Sequence, residues 1–102
     1  MKTILMIGAF DTKGPEYDFL RGEISRFGHQ VISVDTSVVG NPKGVVPEIS
    51  ADEVVSAAGR TIQELRDFND RGRAMAAMAD GAAVIARRLY DSEAFDGIIG
   101  MG

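Results

Sequence analysis

The chain has 102 residues, 45% of them hydrophobic and 25% charged, which suits one small globular domain. Its net charge of −4 argues against nucleic-acid binding, because phosphate backbones select for clustered lysine and arginine. The absence of cysteine excludes disulfides, thiolate zinc sites and cysteine nucleophiles. The short apolar start lacks a cleavage pattern and no apolar run is long enough for a bilayer, so we expect a cytoplasmic domain without membrane contact.

The first third of the sequence predicts a strand, a helix and a second strand. Residues 3–9 form a continuous apolar run, typical of a strand buried on both faces. From Pro15 to Phe27 apolar residues recur at helical spacing, and Gly28 follows where helices commonly end. Residues 31–34 predict the second strand. The unit should therefore be a right-handed crossover between parallel strands.

The middle of the chain predicts a loop over residues 36–49 and then three helices. The first two begin with capping-box patterns at residues 50–53 and 61–64, where serine or threonine precedes glutamate by three residues. Asn69 and Asp70 are candidate caps of a long helix that ends near Tyr90, although its start could lie nearer Arg73.

The long helix has two faces of different character. One carries an apolar stripe formed by Met75, Met78, Ala82, Ile85 and Leu89. The other carries the small residues Ala74, Ala77 and Gly81, which allow close packing. If the domain is an oligomerisation module, this face and the incomplete sheet would pack against another subunit. We expect a homo-oligomer in any case, because a sheet interrupted after its third strand leaves apolar surface uncovered.

Residues 95–100 predict a third strand that runs into a second glycine at residue 102. A parallel strand normally continues into a turn and another helix. We therefore predict an α/β fold of Rossmann-like, three-layer type with a parallel sheet. Residues 1–102 would be the N-terminal part of a longer nucleotide-binding domain, interrupted after the third strand.

Candidate binding residues cluster where the three predicted strands end, since ligands of open parallel sheets bind beyond the carboxyl ends of the strands. Glycines let a ligand approach the backbone, hydroxyl and N–H groups donate hydrogen bonds, and a lysine beside a helix N-terminus favours an anion. The candidates are Asp11, Thr12, Lys13, Gly14, Asp35, Thr36, Ser37, Gly100 and Gly102.

Each candidate also has an ordinary structural interpretation. Asp35 could bind a ribose hydroxyl or cap the following loop, and Lys13 could simply be solvated. Arg71 and Arg73 oppose the dipole of the long helix, so they could pair with nearby acids or reach an anion. Asp11 suggests a magnesium-binding receiver domain, but the third strand ends in glycine rather than the aspartate that such a domain needs. His29 is best explained as a turn residue.

Five segments together resemble a family of ATP-binding domains that includes the N-terminal domain of the tomato mosaic virus resistance protein. The first is residues 8–14, Gly-Ala-Phe-Asp-Thr-Lys-Gly, and the resemblance continues through residues 34–37, 49–54, 70–75 and 96–102. It covers essentially the whole chain in order. Family members are about four times longer and have two Rossmann-like halves.

The resemblance implies ATP as the cofactor, alone or with Mg²⁺, and Lys13, the loop after Asp35 and Arg71 as its contacts. In the family the last motif continues into a glycine-rich loop that this sequence does not contain after Gly102. Two other functions remain open at this point. The domain could belong to an enzyme acting on a small phosphorylated metabolite, with Asp11 or Asp35 as the acid or base, or it could be an oligomerisation module.

Overall fold

A computed structural model describes residues 1–100 of the chain. Its centre is a parallel sheet in the order β2-β1-β3, with β1 at Thr3–Gly8, β2 at Gln30–Asp35 and β3 at Gly97–Gly100. Gly8 lies opposite Asp35 in one pairing, and Ile7 lies opposite Gly100 in the other. The predicted parallel α/β fold is therefore confirmed.

Four helices cover the two faces of the sheet. They are α1 (Phe10–Arg26), α2 (Ala51–Ala57), α3 (Ile62–Asp67) and α4 (Arg71–Asp91). Successive side chains of a strand point to opposite faces, and β1 shows this directly. Met6 is buried in the cluster that includes Phe10 and Tyr17 of α1, whereas Leu5 is buried in the cluster built from α2, α3 and α4. The chain thus forms three layers.

Helices α2 and α4 begin at the capping residues that the sequence predicted. Ser50 and Glu53 form a complete capping box, in which the Ser50 Oγ accepts from the Glu53 N–H at 3.2 Å. The box at residues 61–64 is only half formed. The Thr61 hydroxyl accepts from the Glu64 N–H, but the Glu64 side chain does not accept from the Thr61 N–H. Asp70 caps α4 by accepting from the Arg73 N–H at 3.1 Å.

Helix α1 begins earlier than the sequence pattern predicted. It starts at Phe10 rather than Pro15, because the Lys13 N–H donates to the Ala9 carbonyl and closes a helical turn ahead of the proline. Pro15 has no N–H to continue the ladder, and the helix kinks at Lys13, with φ −120° and ψ 19°. Residues 10–14 therefore form a helical turn, although the helical pattern of the sequence begins only at Pro15.

The small-residue face of α4 packs within the chain. Ala74 and Gly81 are buried, and a Cβ added at Gly81 would clash with the carbonyl oxygen of Val54 in α2. Helix α2 thus covers the face that the oligomerisation-module interpretation assigned to another subunit, whereas the expectation of a homo-oligomer stays a prediction. Two residues predicted to be in apolar stripes also lie outside the core, since Met75 is 57% exposed and Phe27 is 69% exposed.

Candidate functional site

The carboxyl ends of all three strands meet at one edge of the sheet, and the connections leave that edge in opposite directions. The β1–β2 connection passes through α1 on one face, whereas the β2–β3 connection passes through α2, α3 and α4 on the other. The strand order therefore reverses between β1 and β3. In open α/β sheets this reversal opens a crevice above the strand ends, and ligands bind there.

Asp35 ends β2 and is used inside the protein. It is only 2% exposed, and its Oδ1 accepts hydrogen bonds from the Phe10 N–H at 3.2 Å and the Ser37 N–H at 3.0 Å. The Ser37 hydroxyl donates to the same oxygen. No residue within 1–100 donates to Oδ2. The carboxylate therefore ties the end of β2 to the start of α1.

The residues after β2 continue this internal network. The buried Ser37 Oγ accepts from the Asp11 N–H at 3.0 Å, and the Asp11 Oδ2 accepts from the Gly40 N–H at 3.1 Å. The half-buried Thr36 uses its N–H to donate to the Gly8 carbonyl at 2.9 Å. Asp11 and Ser37 are thus brought together, and both are held by hydrogen bonds within the domain.

The first turn of α1 combines two exposed residues with one tightly packed residue. Thr12 and Lys13 are exposed, and their side chains make no polar contact with residues 1–100. Gly14 is buried, and a Cβ there would clash with the Lys43 carbonyl oxygen. Gly14 is therefore needed for backbone packing, while Thr12 and Lys13 are available to a ligand.

Arg71 lies at the same edge of the sheet as these residues. Helix α4 leads into β3, so its first residue is at the carboxyl end of the strands. Arg66, just upstream, confirms this placement by donating from Nε to the carbonyl of Val38, three residues beyond β2. Arg71 is exposed and has no ion pair with the described residues, whereas Arg73 stacks over Phe68 at 4.2 Å from the ring centroid.

Arg66 is a residue of this edge that the sequence did not single out. It sits in the last turn of α3, where an arginine normally needs no explanation because it complements the helix dipole. Its contact with Val38 depends on how α3 folds back on the β2 loop. No local pattern carries that information.

The remaining predicted residues are less informative. Gly100 ends β3, and a Cβ there would lie 3.3 Å from the Ile7 carbonyl oxygen. Gly102 lies outside the described residues. His29 is at the opposite edge, where its Nδ1 accepts from the Lys2 N–H at 3.1 Å, in agreement with a turn role.

The described residues also contain a surface groove away from the candidate edge, but no metal-binding cluster. Within residues 1–100, no group of three or more His, Asp or Glu side chains could hold a metal ion. A surface groove of about 570 Å³ lies at the amino ends of the strands, lined by residues that include Thr3, His29 and Ala94. That groove is distant from the switch point and gathers none of the candidate residues.

The three-layer parallel fold, with its reversal of strand order between β1 and β3, defines an α/β domain of Rossmann-like type. Residues 2–102 match the N-terminal domain of UPF0261, an uncharacterised protein family. The chain belongs to this family. None of the comparisons links it to the tomato mosaic virus resistance protein, so that connection rests on the sequence motifs alone.

The relatives are bacterial and longer than this chain. A UPF0261 protein of Clostridium tetani is 40% identical over 101 residues, which cover 99% of this chain and 25% of the relative. A UPF0261 protein of Brucella suis is 40% identical over 99 residues, or 97% of this chain and 23% of the relative. The chain thus spans about a quarter of these relatives. No solved structure matches.

Residues 1–100 include the four helices α1 to α4. None of them is both long and apolar enough to cross a bilayer.

Proposed function

We propose that this domain binds ATP or a related nucleotide in the crevice between the carboxyl ends of β1 and β3. The observation that carries the proposal is the coincidence of this switch point with two exposed cationic side chains, Lys13 and Arg71, that have no partner within residues 1–100. Cations without an internal partner at a strand-end crevice are suited to an anionic ligand.

The chemistry of the edge suits the parts of a nucleotide. Lys13 and Arg71 would contact phosphate oxygens, and the exposed Thr12 hydroxyl can donate to the same group. Gly100 would allow close approach of the ligand to the backbone. Asp35 would contribute only Oδ2, to a ribose hydroxyl, because its Oδ1 already accepts three hydrogen bonds.

Binding of Mg²⁺ at this site would depend mainly on the phosphates of the nucleotide. Mg²⁺ is usually held by one or two carboxylates together with substrate phosphates and water. The only carboxylates among the predicted residues are Asp11 and Asp35, and each already accepts from backbone N–H groups. ATP would therefore bring the ion to the site with its own phosphates.

Calorimetric titration with ATP tests the proposal. We expect saturable binding by this chain and a loss of about tenfold or more for each of Lys13→Ala and Arg71→Ala, because a hydrogen bond to a charged group contributes about 1.5–3 kcal/mol. Lys2→Ala and Arg88→Ala are matched controls. Lys2 precedes β1 and Arg88 is in the last turn of α4, so both are at the opposite edge, and neither substitution should change the affinity.

Two results would contradict the proposal. One is wild-type affinity in the Lys13→Ala, Arg71→Ala double variant. The other is failure of both this chain and the full-length Clostridium tetani relative to bind ATP. Competition by a small phosphorylated metabolite that displaces ATP at lower concentration would instead assign the crevice to an enzyme of phosphorylated substrates.

A further inference from the structure

Helix α1 lacks a capping side chain of its own. Its N-cap residue is Ala9, which has no acceptor, so the first N–H groups of the helix need another partner. The end of β2 and the loop after it supply these partners. The Asp35 carboxylate accepts from the Phe10 N–H at 3.2 Å, and the Ser37 hydroxyl oxygen accepts from the Asp11 N–H at 3.0 Å.

This arrangement fills the position where an anion would bind. A helix N-terminus attracts phosphate because its free N–H groups and its dipole favour negative charge. Here both Asp35 and Ser37 are buried, each only 2% exposed, and the Ser37 hydroxyl donates to the Asp35 carboxylate. A phosphate could reach the Phe10 N–H only by displacing a buried carboxylate of like charge.

We propose that Asp35 and Ser37 form an internal anion cap, a pair of positioning residues that occupies the phosphate position of α1. The second part of the inference rests on the proposed function. The Lys13 and Arg71 side chains bind a nucleotide's phosphates, and the Phe10 and Asp11 N–H groups do not. The pair also fixes the turn that presents Thr12 and Lys13, because it joins the start of α1 to the end of β2.

The first experiment is a backbone amide NMR titration of the unaltered chain with inorganic phosphate and with ATP. We expect the Phe10 and Asp11 amide resonances to keep their positions while the Lys13 and Arg71 resonances shift on addition of ATP. A saturable shift of the Phe10 and Asp11 amides by inorganic phosphate, comparable with the largest shift in the spectrum, would overturn the inference.

The second experiment asks whether a free anion can replace the carboxylate. Asp35→Ala should lower the thermal unfolding midpoint by about 10 °C, because charged hydrogen bonds are lost from a small domain. Millimolar inorganic phosphate should then restore part of the midpoint saturably. Asp80→Ala removes an exposed aspartate of α4 and is the control for general effects of phosphate on stability. Equal responses of both variants to phosphate would refute the anion cap.

Asp35→Asn keeps the test decisive if Asp35→Ala does not fold. The amide oxygen still accepts from the Phe10 N–H, but the charge is gone, so the midpoint should fall by about 5 °C and should not respond to phosphate. A wild-type midpoint for Asp35→Asn would show that the charge is irrelevant. The phosphate response of Asp35→Ala does not depend on ATP binding, so the cap and the nucleotide site can fail separately.

Discussion

The two faces of the sheet are held by different kinds of contact. The face covered by α2, α3 and α4 has the larger apolar cluster, in which eight buried residues include Leu5, Val34 and Met78. The face covered by α1 has only four buried hydrophobic residues in its cluster: Met6, Phe10, Tyr17 and Val45. Polar contacts and close backbone approaches supplement this smaller core.

The two kinds of contact differ in how precisely they position the residues of the candidate site. Apolar contacts are not directional, and on the α4 face the close approach of Gly81 to the Val54 carbonyl sets the spacing of α4 and α2. Hydrogen bonds are directional, and on the α1 face Asp35, Ser37 and Asp11 fix the exact turn that presents Lys13. The face with the smaller apolar cluster is thus the one on which hydrogen bonds position the turn that carries Lys13.

The largest expected effect is on the α4 face. Gly81→Ala should destabilise the domain by about 3 kcal/mol, because the added Cβ meets the Val54 carbonyl oxygen and must push α2 away from α4. Chemical denaturation measures this change. Gly22→Ala is the control: Gly22 is an exposed glycine of α1 with open space around it, so alanine should stabilise by up to about 1 kcal/mol. Similar values for both variants would contradict the close approach of α2 and α4.

A smaller effect is expected at the edge of β2 on the α1 face. The Glu48 Oε1 accepts from the N–H of the buried Ser33 at 3.0 Å and pairs with Arg21 at 3.0 Å. Glu48→Ala should cost about 2 kcal/mol, because it leaves the Ser33 N–H without its acceptor. Glu48→Gln keeps an acceptor oxygen and should cost clearly less in the same denaturation experiment. Equal losses would assign the effect to the ion pair with Arg21 alone.

The smallest effect concerns one hydroxyl on the α1 face. Tyr17 is fully buried, and its hydroxyl donates to the Ile7 carbonyl at 2.9 Å, which pins α1 to β1. Tyr17→Phe should lower stability by about 1 kcal/mol while leaving the ring contact with Phe10 in place. Tyr90→Phe removes an exposed hydroxyl of α4 and should have no effect on the unfolding midpoint. A neutral Tyr17→Phe would show that the apolar ring alone holds this helix.

Much of the fold was predictable because its signals are local. Each of these signals specifies one element within a few residues. They are the apolar run of β1, the capping side chains of Ser50 and Asp70, and Gly28. Gly28 has φ +84°, and the His29 N–H donates to the Ile24 carbonyl, as expected for a glycine that ends a helix. The start of α1 could not be predicted from a local signal. Pro15 has the pattern of a proline in the first turn of a helix, although the helix begins five residues earlier.

The candidate site was predictable only as a set of residues. The rule for parallel sheets correctly placed Lys13, Asp35 and Gly100 at one edge. It did not show which of them has a free side chain. Asp35 follows Ser33 by two residues and faces α1, but its bond to the Phe10 N–H joins residues 25 apart in the chain.

The sequence by itself determined the element order and the parallel α/β class, because hydrophobic period, caps and turns are encoded within a few residues. Only the tertiary structure decided how those residues are used. It placed the small face of α4 against α2, enclosed Asp35 and Ser37 within the start of α1, and left Lys13 and Arg71 exposed. The reason is physical: a carboxylate or a cation acquires its partner from chain segments far away in sequence, and the packing of the layers selects that partner.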